Sequence, residues 1–77
     1  MTREDLLSIL HEIRPDVDFS DVTDIATGGV LKSMELMMLI AEIEDAADIE
    51  LPVEDVVPEN FESVDTILAL LAKLGAS

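Results

Sequence analysis

A serine directly after a lysine stands at the mouth of a long apolar run in Gly28-Gly29-Val30-Leu31-Lys32-Ser33-Met34-Glu35-Leu36. A hydroxyl placed there has two uses. It can cap the helix that begins at this point, because serine is among the best acceptors for the unpaired N–H groups of a first turn, or it can carry an attached group. Three features add the second use to the first. Ser33 ends a long loop containing two glycines, Met34 follows it on the exposed side, and the helix beneath sets methionines among carboxylates. Such a face suits a basic partner with an apolar groove.

Other chemistries lack parts. A Ser-His-Asp arrangement needs a histidine, and the only one, His11, sits mid-way along the first helix beside Glu12. With 18 acidic residues in the chain, any carboxylate pair is expected by chance, and a domain this small cannot enclose a glycosidase-like cleft. Asp16-Val17-Asp18-Phe19-Ser20 opens like a calcium loop, but Asp21 stands where the turn needs glycine and Thr27 where a bidentate glutamate is needed. Gly28-Gly29 lacks both the phosphate-loop spacing and a preceding strand. No enzymatic activity and no metal site are expected.

Composition narrows the partners. Eighteen acidic residues against four basic ones give a formal charge of −14, which repels phosphate backbones and anionic headgroups and attracts basic protein surfaces. Nucleic acid and membrane are therefore excluded as expected partners. There is no cysteine, hence no disulfide and no thiolate of the chain's own. Acids occupy the first residues, where a signal peptide would be basic and then apolar. Glu35 and Glu42 interrupt the longest apolar run, well short of the ~18 residues a span requires. A cytoplasmic monomer is expected.

The elements that position Ser33 follow from periodicity and punctuation. Seventy-seven residues suffice for one domain, 1–77, with one core. Only Phe19 and Phe61 are aromatic, so that core is aliphatic, which favours helices packed on helices. Thr2 caps a first helix with Leu6, Ile9, Leu10 and Ile13 at helical spacing, stopping before Pro15. A long connection from Pro15 to Leu31 is pinned by Phe19, Val22 and Ile25; its length marks it as functional. The second helix spans Ser33 to about Ala47. Leu36, Leu39, Ile40, Ile43 and Ala47 form its core stripe; Met34, Glu35, Met38, Ala41, Glu42 and Asp45 form its exposed arc. A short helix runs from Pro52 to about Val57 and Pro58 closes it. Ser63 caps a last helix with Val64, Ile67, Leu68, Leu71 and Leu74 buried, ending at Lys73 and Gly75. The expected architecture is all-α, three main helices and a short one, with a long first loop.

Within this frame, Gly29-Val30-Leu31-Lys32-Ser33-Met34, then Leu36, Leu39, Ile40 and Ile43, then Asp48-Ile49-Glu50-Leu51-Pro52, then Phe61-Glu62-Ser63-Val64, resembles the acyl carrier protein family. The likeness covers the second helix to the last, while the first helix agrees in pattern and position; within the family it leans toward stand-alone D-alanyl or peptidyl carriers. The resemblance implies an acyl-carrier-like four-helix bundle with 4′-phosphopantetheine, taken from coenzyme A, esterified to Ser33 and flanked by Lys32 and Met34. It further implies a thioester carrier for fatty acid, polyketide or nonribosomal peptide biosynthesis. A phosphopantetheinyl transferase and acyl- or aminoacyl-loading and transferring enzymes would dock their basic patches on Glu35, Met38, Glu42 and Asp45. A chain without cysteine handles thioesters this way because the thiol comes on the cofactor.

Lys32 departs from the pattern, since the family generally places aspartate before the serine. A cation at the positive end of a helix is unfavourable by about 0.3 to 1 kcal/mol and leaves the capping to Ser33. A phosphodiester on Ser33 would reverse the sign by giving Lys32 an anion to pair with. The competing expectation is an unmodified acidic helical adaptor that binds a basic partner through the second helix, with Ser33 only a cap.

Overall fold

The computed structural model describes residues 1–76. Helix α1 is Arg3–Ile13, started by a reciprocal cap in which the Asp5 N–H donates to Thr2 Oγ1 and the Thr2 N–H donates to Asp5 Oδ2, each at 3.1 Å. It stops at Arg14, whose backbone (φ −136°, ψ 83°) has left the helical region that the following Pro15 disfavours. Helix α2 is Ser33–Ala47 and ends on Asp48 in the left-handed region, φ 53°, a conformation that aspartate tolerates better than most residues. Helix α3 is Val64–Lys73; Ser63 Oγ accepts from the Thr66 N–H while the Ser63 N–H donates to Thr66 Oγ1. Gly75 turns the chain at φ 78°, so that the Ala76 N–H reaches the Leu71 carbonyl.

The three α-helices bury one aliphatic core. Leu6, Ile9 and Leu10 from α1 meet Leu39 and Ile43 from α2 and Val64, Ile67, Leu70 and Leu71 from α3, with α1 packed against both other helices. Leu36 and Ile40 on α2, Leu68 on α3 and Leu74 just past its end are half-buried at its margin. No strand is present among the described residues, and no helix there is long and apolar enough to cross a membrane.

Two segments differ from the sequence-based expectation. The short helix expected from Pro52 to about Val57 is a single 3₁₀ turn, Val53–Asp55, and a second 3₁₀ turn, Pro58–Phe61, follows it. Val57, forced extended by the proline after it (φ −129°, ψ 151°), prevents a helix from running through. Pro58 thus opens the second turn instead of closing a helix. The connection from Pro15 to Leu31 is also less free than its length suggests. It contains a 3₁₀ turn, Phe19–Asp21, initiated by Asp18, whose carboxylate accepts from the Ser20 N–H and hydroxyl. Phe19, Ile25 and Leu31 are all core residues.

Candidate functional site

The expected N-cap is displaced by one residue. Lys32 is extended (φ −86°, ψ 173°), and its carbonyl accepts the first helical bond, from the Leu36 N–H at 2.8 Å, so Lys32 is the cap and Ser33 the first helical residue. Lysine has no acceptor to offer the first-turn amides, and the capping comes from Glu35, whose Oε1 accepts from the Lys32 N–H at 3.0 Å. Ser33 is therefore relieved of capping. Its side chain is exposed and its hydroxyl forms no hydrogen bond among the described residues.

What holds this corner in place is Arg14. Its guanidinium grips Asp16 with two bonds of 3.0 and 2.9 Å, donates from Nη1 to the Val30 carbonyl at 3.1 Å, and lies 3.8 Å from Glu35 Oε2. One side chain thus ties the end of α1 to the loop and to the first turn of α2. Glu35, grouped by helical arc with the docking carboxylates, is turned inward to this network and is only 25% exposed. The Arg14 bonds also hold the Asp16 carboxyl below the usual aspartate range. The calcium-loop-like acids are accordingly spoken for: Asp16 by Arg14 and Asp18 by Ser20.

Arg3 pairs with Asp65 at 2.6 Å and Lys73 with Asp55 at 3.0 Å. With Arg14 engaged as well, Lys32 is the one Lys or Arg side chain that forms no ion pair among the described residues. An exposed, uncommitted cation therefore sits next to an exposed, uncommitted hydroxyl. Glu42 and Asp45 are exposed farther along α2, with Met34 at 75% and Met38 at 49% exposure. Met37, at 69%, belongs to the same surface although neither arc includes it; its spacing of three from Met34 is the signal that places it there.

Two devices fix the loop that presents Ser33. The Glu62 backbone carbonyl accepts from the Ile25 N–H at 2.9 Å, while its carboxylate accepts from the Ala26 and Thr27 N–H groups at 2.8 and 2.9 Å and from the Thr27 hydroxyl. These bonds to Thr27, with the one to Ala26, hold the Glu62 carboxyl below its ordinary value. A carboxyl whose folded pKa is depressed stabilises the fold above its unfolded pKa, and that contribution is lost as pH falls through the folded value. Lowering the pH through the carboxylate range should therefore weaken this latch in the wild type. Glu62→Gln is expected to flatten that acid limb in a chemical-denaturation series; an unchanged limb would show that the latch does not contribute.

The second device is steric. Gly28 donates its N–H to the Asp24 carbonyl at 2.7 Å, and a Cβ there would overlap the Asp24 carboxylate and lie 2.6 Å from its carbonyl oxygen. Gly29 has open space around it but a φ of 72°. The two glycines are needed for different reasons. Gly28→Ala is expected to cost about 1–3 kcal/mol by overpacking, and Gly28→Asn no less. Gly29→Asn should be nearly neutral, because asparagine visits the left-handed region; thermal melts of the pair check this.

Beside the corner lies an apolar cavity of about 180 Å³, walled by Leu36 and Ile40 of α2, Val57, Pro58 and Phe61 of the 3₁₀ segment, and Ala26 of the loop. Val56 at its rim is 38% exposed. The Glu62 latch and the cavity share a wall, because Ala26 is held by Glu62 while Phe61 precedes it. No family model matches the chain, and no solved structure matches it.

Proposed function

We propose that this chain is a carrier of the acyl carrier type, which holds acyl or aminoacyl groups as thioesters on a 4′-phosphopantetheine arm attached to Ser33 and has no catalytic activity of its own. One observation carries the reading: the Ser33 hydroxyl is exposed at the start of α2, uses none of its hydrogen-bonding capacity within the described residues, and stands beside an uncommitted cation. The residues present fit such a group. Ser33 Oγ offers the ester position, Lys32 and the unfilled first-turn amides of α2 favour an anion, and Met34 lies next to the arm's root. When bound, the arm supplies the thiol that the cysteine-free chain lacks.

The protein's own part is tethering and presentation. A flexible tether raises the effective concentration of cargo at each partner's active site, while Met38, Glu42 and Asp45 offer basic partners a docking face. Those partners are a phosphopantetheinyl transferase and the enzymes that load and remove cargo, in the cytoplasm. The apolar cavity against α2 supports an aliphatic cargo that folds back between the helices. Chemical-shift changes at Leu36, Ile40 and Phe61 on acylation would support that; shifts confined to the surface would reject it. The acyl-carrier-like arrangement of the helices belongs to the same reading.

The second reading, an unmodified acidic adaptor binding a basic protein through α2, is favoured by Lys32 in the place where the carrier pattern has aspartate. Incubation with coenzyme A and a transferase, followed by intact-mass measurement, separates the two. A mass gain on wild type supports the carrier. Gain only on Lys32→Asp supports a diverged carrier that is poorly modified, and no gain on either removes the role proposed for Ser33.

A further inference from the structure

Met34, Met37 and Met38 are 75%, 69% and 49% exposed. Side chains at positions i, i+3 and i+4 share one helix face, so these three thioethers form a single patch along the first turns of α2, starting at the residue after Ser33. Large apolar side chains this exposed contribute little to the fold. The core is built instead from leucine, isoleucine, valine and phenylalanine, and the remaining methionine, Met1, is packed against that core. The chain also lacks cysteine, the side chain that competes most strongly for oxidants.

We propose that the Met34–Met37–Met38 patch is a site of reversible sulfoxidation by peroxides, which regulates transfer of the arm onto Ser33. In each event a thioether sulfur attacks one oxygen of the peroxide, the O–O bond breaks as the S–O bond forms, and the departing hydroxide or alkoxide leaves as water or alcohol after taking up a proton. The sulfur is oxidised by two electrons and the peroxide is reduced by two. A thiol-dependent methionine sulfoxide reductase reverses the change. Each event turns a soft apolar group into a polar, chiral one, so an enzyme whose apolar surface must approach Ser33 meets a wetter face. The fold is untouched because none of the three sulfurs belongs to the core.

The regulatory half rests on the carrier reading, and the experiment separates the two. The protein is treated with hydrogen peroxide, freed of it, and then given to a transferase with coenzyme A. Peptide masses should show oxygen added at Met34, Met37 and Met38 before Met1, with helicity unchanged. The rate of modification should fall about tenfold, the size of effect expected when one or two apolar interface contacts are lost. Methionine sulfoxide reductase should restore it. The triple variant Met34→Leu, Met37→Leu, Met38→Leu, compared with its own untreated sample, should be insensitive to peroxide. Equal rates before and after oxidation, an equal loss in the triple variant, or oxidation of Met1 first would overturn the proposal while leaving the carrier reading standing. Untreated wild type that accepts no arm at all, alone or as Lys32→Asp, overturns both.

Discussion

Ser33→Ala is expected to abolish attachment of the arm completely while leaving stability within about 0.5 kcal/mol of wild type, the usual range for surface substitutions that break no special contact. The two halves of this result come from one structural fact. Because Lys32 occupies the cap position and Glu35 supplies its hydrogen bond, the Ser33 hydroxyl is not part of what holds α2 together. If serine were the cap, alanine would remove about 1 kcal/mol, which in a domain of this size lowers the melting midpoint by about 4–8 °C. The control is Ser63→Ala, since the Ser63 hydroxyl does accept from the Thr66 N–H at 3.1 Å. The expected pattern is a clear loss of stability at Ser63 with unchanged modification, and the reverse at Ser33. A Ser33→Ala protein that melts like Ser63→Ala would return Ser33 to a purely local role and favour the adaptor.

That distinction also shows where the sequence was legible and where it was not. The end of α1, the extent of α2 and the start of α3 are legible because local chemistry decides them: Pro15 after α1, periodic leucines and isoleucines along α2, and a capping serine with an acid in the first turn at α3. The cap of α2 lies one residue before the serine, whose strong preference for that position competes with a quieter signal. Glu35 follows Lys32 by three residues, the spacing of a reciprocal cap, and that spacing points to Lys32. Pro52 suits the first turn of a short helix running to about Val57, whereas the chain makes only one 3₁₀ turn there, and the stretch from Pro58 to Phe61, which carries no such signal, makes another. What no local pattern reveals is pairing at a distance. Glu62 lies 36 residues from Ala26, and Arg14 lies 16 from Val30, yet these two side chains decide where the loop and therefore Ser33 sit. With so many acids in the chain, nothing marks Glu62 among them until the backbone brings it to the loop.

The clearest consequence of that long-range organisation concerns Ile25. A loop that only swung Ser33 about would tolerate truncation of its apolar residues, but Ile25 is fully buried and belongs to the same core as Leu39 and Ile67. Its N–H donates to the Glu62 carbonyl and its own carbonyl accepts from the Leu31 N–H at 3.1 Å, so the side chain and the backbone on both sides are fixed together. Ile25→Ala should therefore cost about 2–5 kcal/mol, the range for emptying a core isoleucine site. That is a large share of the 5–15 kcal/mol by which domains are stable. Val22→Ala, at a half-buried position in the same loop, should cost distinctly less. Urea titration of both variants gives the comparison, and amide exchange adds the mechanism. Loss of the Ile25 anchor should speed exchange at Leu31 well before α3 opens, because Leu31 is the buried residue through which the loop hands the chain to Lys32 and Ser33. Equal costs for the two variants, or no change at Leu31, would mean that the corner bearing Ser33 is held by Arg14 and the first turn of α2 alone.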